Sequence, residues 1–151
     1  MSSDISLTTC PVFSGIISLF SSATATFHAP SDPSGIYGMC HEQIWATESW
    51  WQGLACYDCV FVNTHPELDD MRGLDVVCIL AFFSFTYCNK LYPCALVHWY
   101  SIIGEDHDED TGMWIVSPNM VDGSPGVSII HLDTIFHAAH LLPSFGQVHL
   151  A

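Results

Sequence analysis

Positive charge is almost missing from this chain. Arg72 and Lys90 are the only Lys or Arg residues among 151, set against sixteen carboxylates, and the formal net charge is −14. Each phosphate contact needs a cation to displace condensed counterions, so direct nucleic-acid binding is disfavoured, and anionic membrane surfaces are disfavoured for the same reason. Charged residues of both signs amount to 12%, about half the usual share, which argues against disorder by self-repulsion and makes poor solubility the nearer hazard. No basic residue precedes the short apolar run Val12 to Phe20, so the charge pattern of a secretory signal is lacking. The longest apolar run, Val76 to Cys88, is too short for a membrane-spanning helix and is rich in strand formers. These absences predict an intracellular protein, nuclear or cytoplasmic rather than secreted, with no membrane partner. Also missing are a GxSxG elbow, a P-loop, a GxGxxG turn and any acid/base carboxylate pair that the sequence places in a cleft. No enzyme activity and no cofactor are expected, and the sequence identifies no partner.

What the chain does have is apolar mass. Half of its residues are hydrophobic and 13% are aromatic, enough for one domain that buries about two-thirds of its unfolded surface. Seven cysteines, Cys10, Cys40, Cys56, Cys59, Cys78, Cys88 and Cys94, are odd in number and lack the regular spacing of a secreted disulfide scaffold, so they read as reduced thiols.

Residues 1–22 are Ser/Thr-rich without periodicity and read as a poorly ordered leader; residues 23–151 read as a single small β-rich domain. After a strand at Thr24 to His28, the turn formers of Ala29-Pro-Ser-Asp-Pro-Ser-Gly35 interrupt the chain. Strands follow at Gln43 to Thr47, Tyr57 to Asn63, Val76 to Tyr87, Tyr92 to Ile102, Met113 to Ser117 and Val127 to His131, all turn-bounded and mostly β-branched or aromatic. Cys88-Asn-Lys-Leu91 suits a hairpin turn that makes the two longest runs antiparallel neighbours. One C-terminal helix is expected, capped by Asp133, with Ile135, Ala138, Ala139 and Leu142 as its apolar face and Pro143 as its stop. The fold class is mainly β (α+β): a small twisted antiparallel sheet or partly open β-barrel closed by that helix.

Four constellations bear on chemistry. Cys56-Tyr-Asp-Cys59 is a CxxC, but zinc needs a second pair, and Cys88 and Cys94 lie on either side of the expected hairpin turn; buried strand cysteines are the better reading. A redox role for this CxxC wants a helix N-terminus, whereas here the motif opens a strand. In Glu105-Asp-His-Asp-Glu-Asp110, Asp106, Asp108 and Asp110 match the first ligands of an EF-hand, yet Thr111 stands where Gly is required and Ser117 where a bidentate Glu should be, so a solvated loop is favoured. His131, His137 and His140 surround the expected helix without an HExxH pattern, and read as capping, packing or solvent-facing residues rather than metal ligands. Trp45, Trp50, Trp51, Trp99 and Trp114 could line a cage, although strand tryptophans are more often core. A binding-module reading places its surface at Trp99, Trp114, Asp108 and Asp110. A metalloenzyme built from the acidic loop and the three histidines ranks last.

Ordered blocks then carry a resemblance. Ala29-Pro-Ser-Asp-Pro-Ser-Gly-Ile-Tyr-Gly-Met39, Tyr57-Asp-Cys-Val-Phe-Val62, Met71-Arg-Gly-Leu-Asp75, Tyr92-Pro-Cys-Ala-Leu-Val-His-Trp-Tyr100, Asp108-Glu-Asp-Thr-Gly-Met-Trp114, Ile130-His-Leu-Asp-Thr-Ile135 and Ala138-Ala-His-Leu141 resemble, in order and approximate spacing, the C-terminal region of Plavaka-type transposases of mushroom-forming fungi. The resemblance covers about residues 24 to 146. It implies that the carboxylates of metal-assisted strand transfer lie in a preceding core that is absent here, so no catalytic role carries over. The family pattern also has arginines where this chain has Cys40, His41, Gln43, Trp45, Cys56, Cys78 and His137. Cys, Trp, His and Gln are the residues that single C-to-T changes on either strand make from CG-containing Arg codons. The resemblance therefore implies a decayed, transposon-derived fragment without present activity. The other reading is an interaction module with an aromatic-lined face.

Overall fold

Continuous runs of β-branched and aromatic residues make long strands when both faces of a sheet are covered, and residues 74–102 follow this rule. In the computed structural model, which describes residues 12–28, 38–49, 52–68, 70–143 and 149–150, they form two strands of 14 and 13 residues joined by a tight turn. In chain order the strands are β1 (Ile17–Phe20), β2 (Ser22–His28), β3 (Met39–Thr47), β4 (Cys56–Tyr57), β5 (Cys59–Asn63), β6 (Leu74–Tyr87), β7 (Lys90–Ile102), β8 (Ile115–Pro118), β9 (Met120–Val121), β10 (Ser124–Pro125), β11 (Val127–His131), β12 (Ile135–Ala139), β13 (Leu142–Pro143) and β14 (His149–Leu150), with 3-10 turns at Asp70–Gly73 and Leu132–Thr134. The chain is mainly β and its ladders are antiparallel.

The expected hairpin is the spine of the fold. Tyr87 pairs with Lys90, leaving a two-residue loop in which Cys88 and Asn89 have φ of 49° and 61°. Two left-handed residues make a type I′ turn, whose twist matches that of the flanking strands. The outer edge of β6 is shared by β5 near its start and β1 near its end. The outer edge of β7 is shared by β11 and β8. The main sheet runs β12-β5-β6-β7-β8-β14-β13, and β2, β3 and β4 form a second sheet. Only His140 and Leu141 separate β12 from β13 at opposite ends of that order, so chain reach holds the two ends within about 11 Å. The sheet curls over itself, but among the described residues no ladder joins its ends and it is not closed into a barrel.

Alternation along the central strands supplies two cores. One face of the sheet buries Val60, Val62, Val77, Ile79, Phe82, Ala95 and Val97 against Ile44 and Ala46 of β3. The other buries Val76, Val116 and Ala139 among Phe61, Tyr100, Ile102 and Leu141. Each fully buried Val or Ile contributes about 1.5–3 kcal/mol.

The expected C-terminal helix is corrected. Asp133 lies in the 3-10 turn, where its backbone N–H donates to His131 Nδ1 at 3.2 Å, and Ile135–Ala139 is a strand paired with β5. A bulge between Ile135 and His137 is the reason. It leaves Phe136 as an extra, exposed residue, so Ile135 and Ala138 lie opposite Val62 and Val60 while Ala139 enters the second core. A one-residue bulge thus reproduces the apolar spacing of a helix, and β12 satisfies the edge of β5 that a helix would leave open.

Within the segment read as a leader, Ile17–Phe20 is strand β1, in register with Phe82–Phe85, and Ser22 opens β2. Residues 1–11 of that segment and the turn formers at 29–35 lie outside the described residues, as do Cys10, Trp50 and Trp51. No helix among the described residues is long and apolar enough to cross a membrane.

Candidate functional site

The densest group of reactive side chains surrounds Asp58, the residue between β4 and β5. Its backbone N–H donates to Trp45 O at 2.9 Å and its carbonyl accepts from Ile79 N–H at 2.9 Å. Carboxylate Oδ2 accepts from Trp45 N–H at 2.8 Å, and Oδ1 accepts from the Cys56 thiol at 3.7 Å. The residue therefore ties the second sheet to β6, its carboxylate and backbone N–H bonding β3 and β4 and its carbonyl bonding β6. Polar residues in a partly buried loop keep their place only when hydrogen-bonded in this way.

Two further thiols adjoin it. Cys59 stands directly opposite Cys78 across the β5–β6 ladder. The Cys59 thiol is raised well above its usual range, first by its hydrogen bond to Cys78 and then by burial; the same hydrogen bond lowers Cys78, against burial and the nearby Asp58 carboxylate. Burial, then the Asp58 charge and hydrogen bond, raise Cys56. Cys78 also points its thiol at Tyr57 O, 3.8 Å away.

The second pair that zinc would need is elsewhere. Cys88 occupies the exposed tip of the β6–β7 hairpin, ten residues along β6 from Cys78, or about 33 Å at strand rise. Cys94 is buried, in register with Phe83 and His131. Among the described residues no three His, Cys, Asp or Glu side chains gather to hold a metal. The three C-terminal histidines also part company. His131 caps the 3-10 turn, His137 sits among the rings of Phe27, Phe61 and Phe136, and His140 is exposed.

The sequence-derived surface divides as well. Trp99 is the point where the outer edge of β7 passes from β11 to β8: its N–H donates to Gly126 O at 3.0 Å, its carbonyl accepts from Asn119 N–H at 2.8 Å, and Gly126 N–H closes the triangle on Asn119 O at 2.8 Å. Its ring packs on the first core, and its indole N–H donates to Ser128 Oγ. Trp114 stands just before β8, outside the β7–β8 ladder and near His107, the ring centroids being 6.1 Å apart.

Asp108 organises the acidic loop rather than offering itself outward. Its Oδ1 accepts from Thr111 N–H at 2.9 Å and from Thr111 Oγ1–H at 2.8 Å, and its backbone N–H donates to Met113 O at 2.8 Å. Asp110 is exposed. The Thr111 hydrogen bonds hold the Asp108 carboxyl below its ordinary value of 3.8. A depressed folded-state pKa means that the loop's stabilisation is complete above the unfolded value and is lost as pH falls through the folded one. A carboxyl-resolved NMR titration should therefore show Asp108 protonating below its ordinary value on acidification. Thr111→Val should move it back up towards that value, and no change in that variant would contradict the assignment.

Comparison with protein-family models, with curated proteins and with solved structures finds no match to this chain.

Sequence reasoning noticed the CxxC but missed Asp58 and the facing of Cys59 with Cys78. The signal was partly there, since both cysteines fall in expected strands, but antiparallel register is set by turns and bulges that periodicity does not count.

Proposed function

We propose that these residues are the C-terminal accessory region of a transposase-like element, carrying no catalytic group of their own and holding a surface from which arginines have been lost. The observation that carries the reading is the placement of two carboxylates. Asp58 bonds Cys56 and lies close enough to Cys78 to shift its ionisation. Glu42 Oε2 accepts from Ala138 N–H at 2.8 Å, next to His137, and Cys40 lies two residues before Glu42 on the same strand face. Four of the seven positions that the resemblance assigns to arginine thus flank two partly buried carboxylates. Among the described residues, the ion pairs are His65–Glu67 and His131–Asp133, so neither carboxylate meets Arg72 or Lys90. Guanidinium groups at positions 56 or 78 would reach Asp58, and at 40 or 137 would reach Glu42, each with the planar geometry that carboxylates favour. The remaining three positions, His41, Gln43 and Trp45, alternate with Ile44 and Ala46 and lie on the face of β3 away from the core.

The test uses positions where an arginine head can stay in water. Cys40 is only 9% exposed and Cys78 and His137 are partly buried, so a guanidinium at any of them would lean on its carboxylate partner. The variant His41→Arg, Gln43→Arg, Trp45→Arg, Cys56→Arg covers apolar surface with arginine stems while keeping the heads hydrated. Its soluble yield in reducing buffer at neutral pH should rise severalfold over the present sequence. An unchanged or lower yield, with the fold intact by circular dichroism, would refute the placement of lost arginines on this face.

A further inference from the structure

We propose that Cys59 and Cys78 form an oxidisable dithiol, which exchange with a low-molecular-weight disulfide such as oxidised glutathione closes into a cross-strand disulfide. The ladder sets the geometry. Ile79 N–H donates to Asp58 O, a bond that in an antiparallel ladder flanks a pair of the non-bonded kind, so Cys59 with Cys78 is of that kind. Such pairs bring their Cα atoms to about 4.5 Å with side chains close together, inside the range of about 4.4–6.8 Å that a disulfide spans. Both side chains point to the face opposite Val60 and Val77, and both residues are only partly buried, so a small disulfide can approach. The other described thiols are worse placed. Cys40 and Cys94 are buried, Cys88 is at the far hairpin tip, and Cys56 faces the Asp58 carboxylate, which opposes its thiolate.

The electron balance is that of thiol–disulfide exchange. The Cys78 thiolate attacks one sulfur of the small disulfide, whose S–S bond breaks and releases a thiolate that takes up the proton Cys78 gave up on ionising. Cys59, losing its proton to solvent, attacks the Cys78 sulfur of the mixed disulfide and displaces the second small thiolate, which is protonated in turn. Two protein thiols are oxidised and one small disulfide is reduced to two thiols. The product pins β5 to β6 across the 3-10 turn at Asp70–Gly73. The inference does not depend on the origin proposed above.

Trypsin gives a direct readout, because Arg72 and Lys90 are the only cleavage sites and divide the chain into 1–72, 73–90 and 91–151. The reduced full-length chain is exposed to oxidised glutathione under native conditions, alkylated, digested without reductant and analysed by mass spectrometry. The expected result is fragment 1–72 joined to 73–90 through Cys59 and Cys78, released by dithiothreitol. The link should vanish in Cys59→Ser and in Cys78→Ser and persist in Cys88→Ser. Sequencing the linked wild-type peptides decides the matter even if a serine variant fails to fold. Glutathione adducts without the link, or a link through Cys56 or Cys88, would overturn the proposal.

Discussion

Trp99→Ala is expected to lower unfolding free energy by about 2–3 kcal/mol, less than the ~3–5 kcal/mol of a fully buried ring because Trp99 is only partly buried against the first core. Small domains are stable by only about 5–15 kcal/mol in all, so the variant should be largely unfolded at moderate urea concentrations that leave the parent chain native. The position explains the size of the effect. Trp99 packs against the first core, donates its indole N–H to Ser128, and sits where Asn119 and Gly126 lock the handover from β11 to β8. Trp99→Phe should retain most of the packing and forfeit chiefly the hydrogen bond, a loss of about 1 kcal/mol beyond the smaller ring. Trp114→Ala, at the margin beside His107, should cost about 1 kcal/mol. Urea titrations followed by circular dichroism would check the order, and a Trp114 variant less stable than the Trp99 variant would contradict it. An interaction role for the aromatic residues is consequently testable only at Trp114, since any loss of binding at Trp99 would be mixed with loss of fold.

Asp58→Ala should cost about 2 kcal/mol. The carboxylate accepts from the part-buried Trp45 N–H at 2.8 Å, and removing it takes away a charge-assisted bond while leaving that N–H without its partner. Asp58→Asn keeps an acceptor oxygen and should lose about half as much. A second consequence separates this role from generic packing. Without the Asp58 charge and hydrogen bond, both of which raise the Cys56 thiol, alkylation of Cys56 should reach half its maximal rate at a lower pH than in the parent chain. Equal stability of Asp58→Ala and parent, or an unmoved Cys56 profile, would show that Asp58 is not the node described.

Much of this architecture is legible in the residues themselves. The six expected strands from Gln43 to His131, and the one at Thr24 to His28, each have a strand at their place, although Tyr57–Asn63 is interrupted at Asp58 and the run from Met113 becomes a strand only from Ile115, because turn residues bound each run and because the β6–β7 segments are largely apolar. The acidic loop is legible as a loop: Thr111 at the position an EF-hand reserves for Gly instead donates twice to Asp108. Other features are hidden for physical reasons. The bulge at Phe136 gives β12 a helix-like spacing, and no local residue announces a bulge. Ile17–Phe20 has ordinary propensity and becomes a strand only because the outer edge of β6 beyond β5 is free to receive it. The opposition of Cys59 and Cys78 follows from the β5–β6 register, which is fixed where the N–H groups of Thr64 and His65 donate to Gly73 O and not by any periodicity of the strands themselves. Asp58 looked like the spacer of a CxxC and is its structural centre.

The loss of arginines is the central claim, and the nucleotide sequence of related genomic copies tests it most directly. Decay predicts CG-containing arginine codons in intact copies at positions 40, 41, 43, 45, 56, 78 and 137, with C-to-T transitions at CG sites enriched in this copy and replacements not held below synonymous changes. Copies that share the present Cys, His, Gln and Trp codons, or synonymous changes that greatly outnumber replacements, would contradict it.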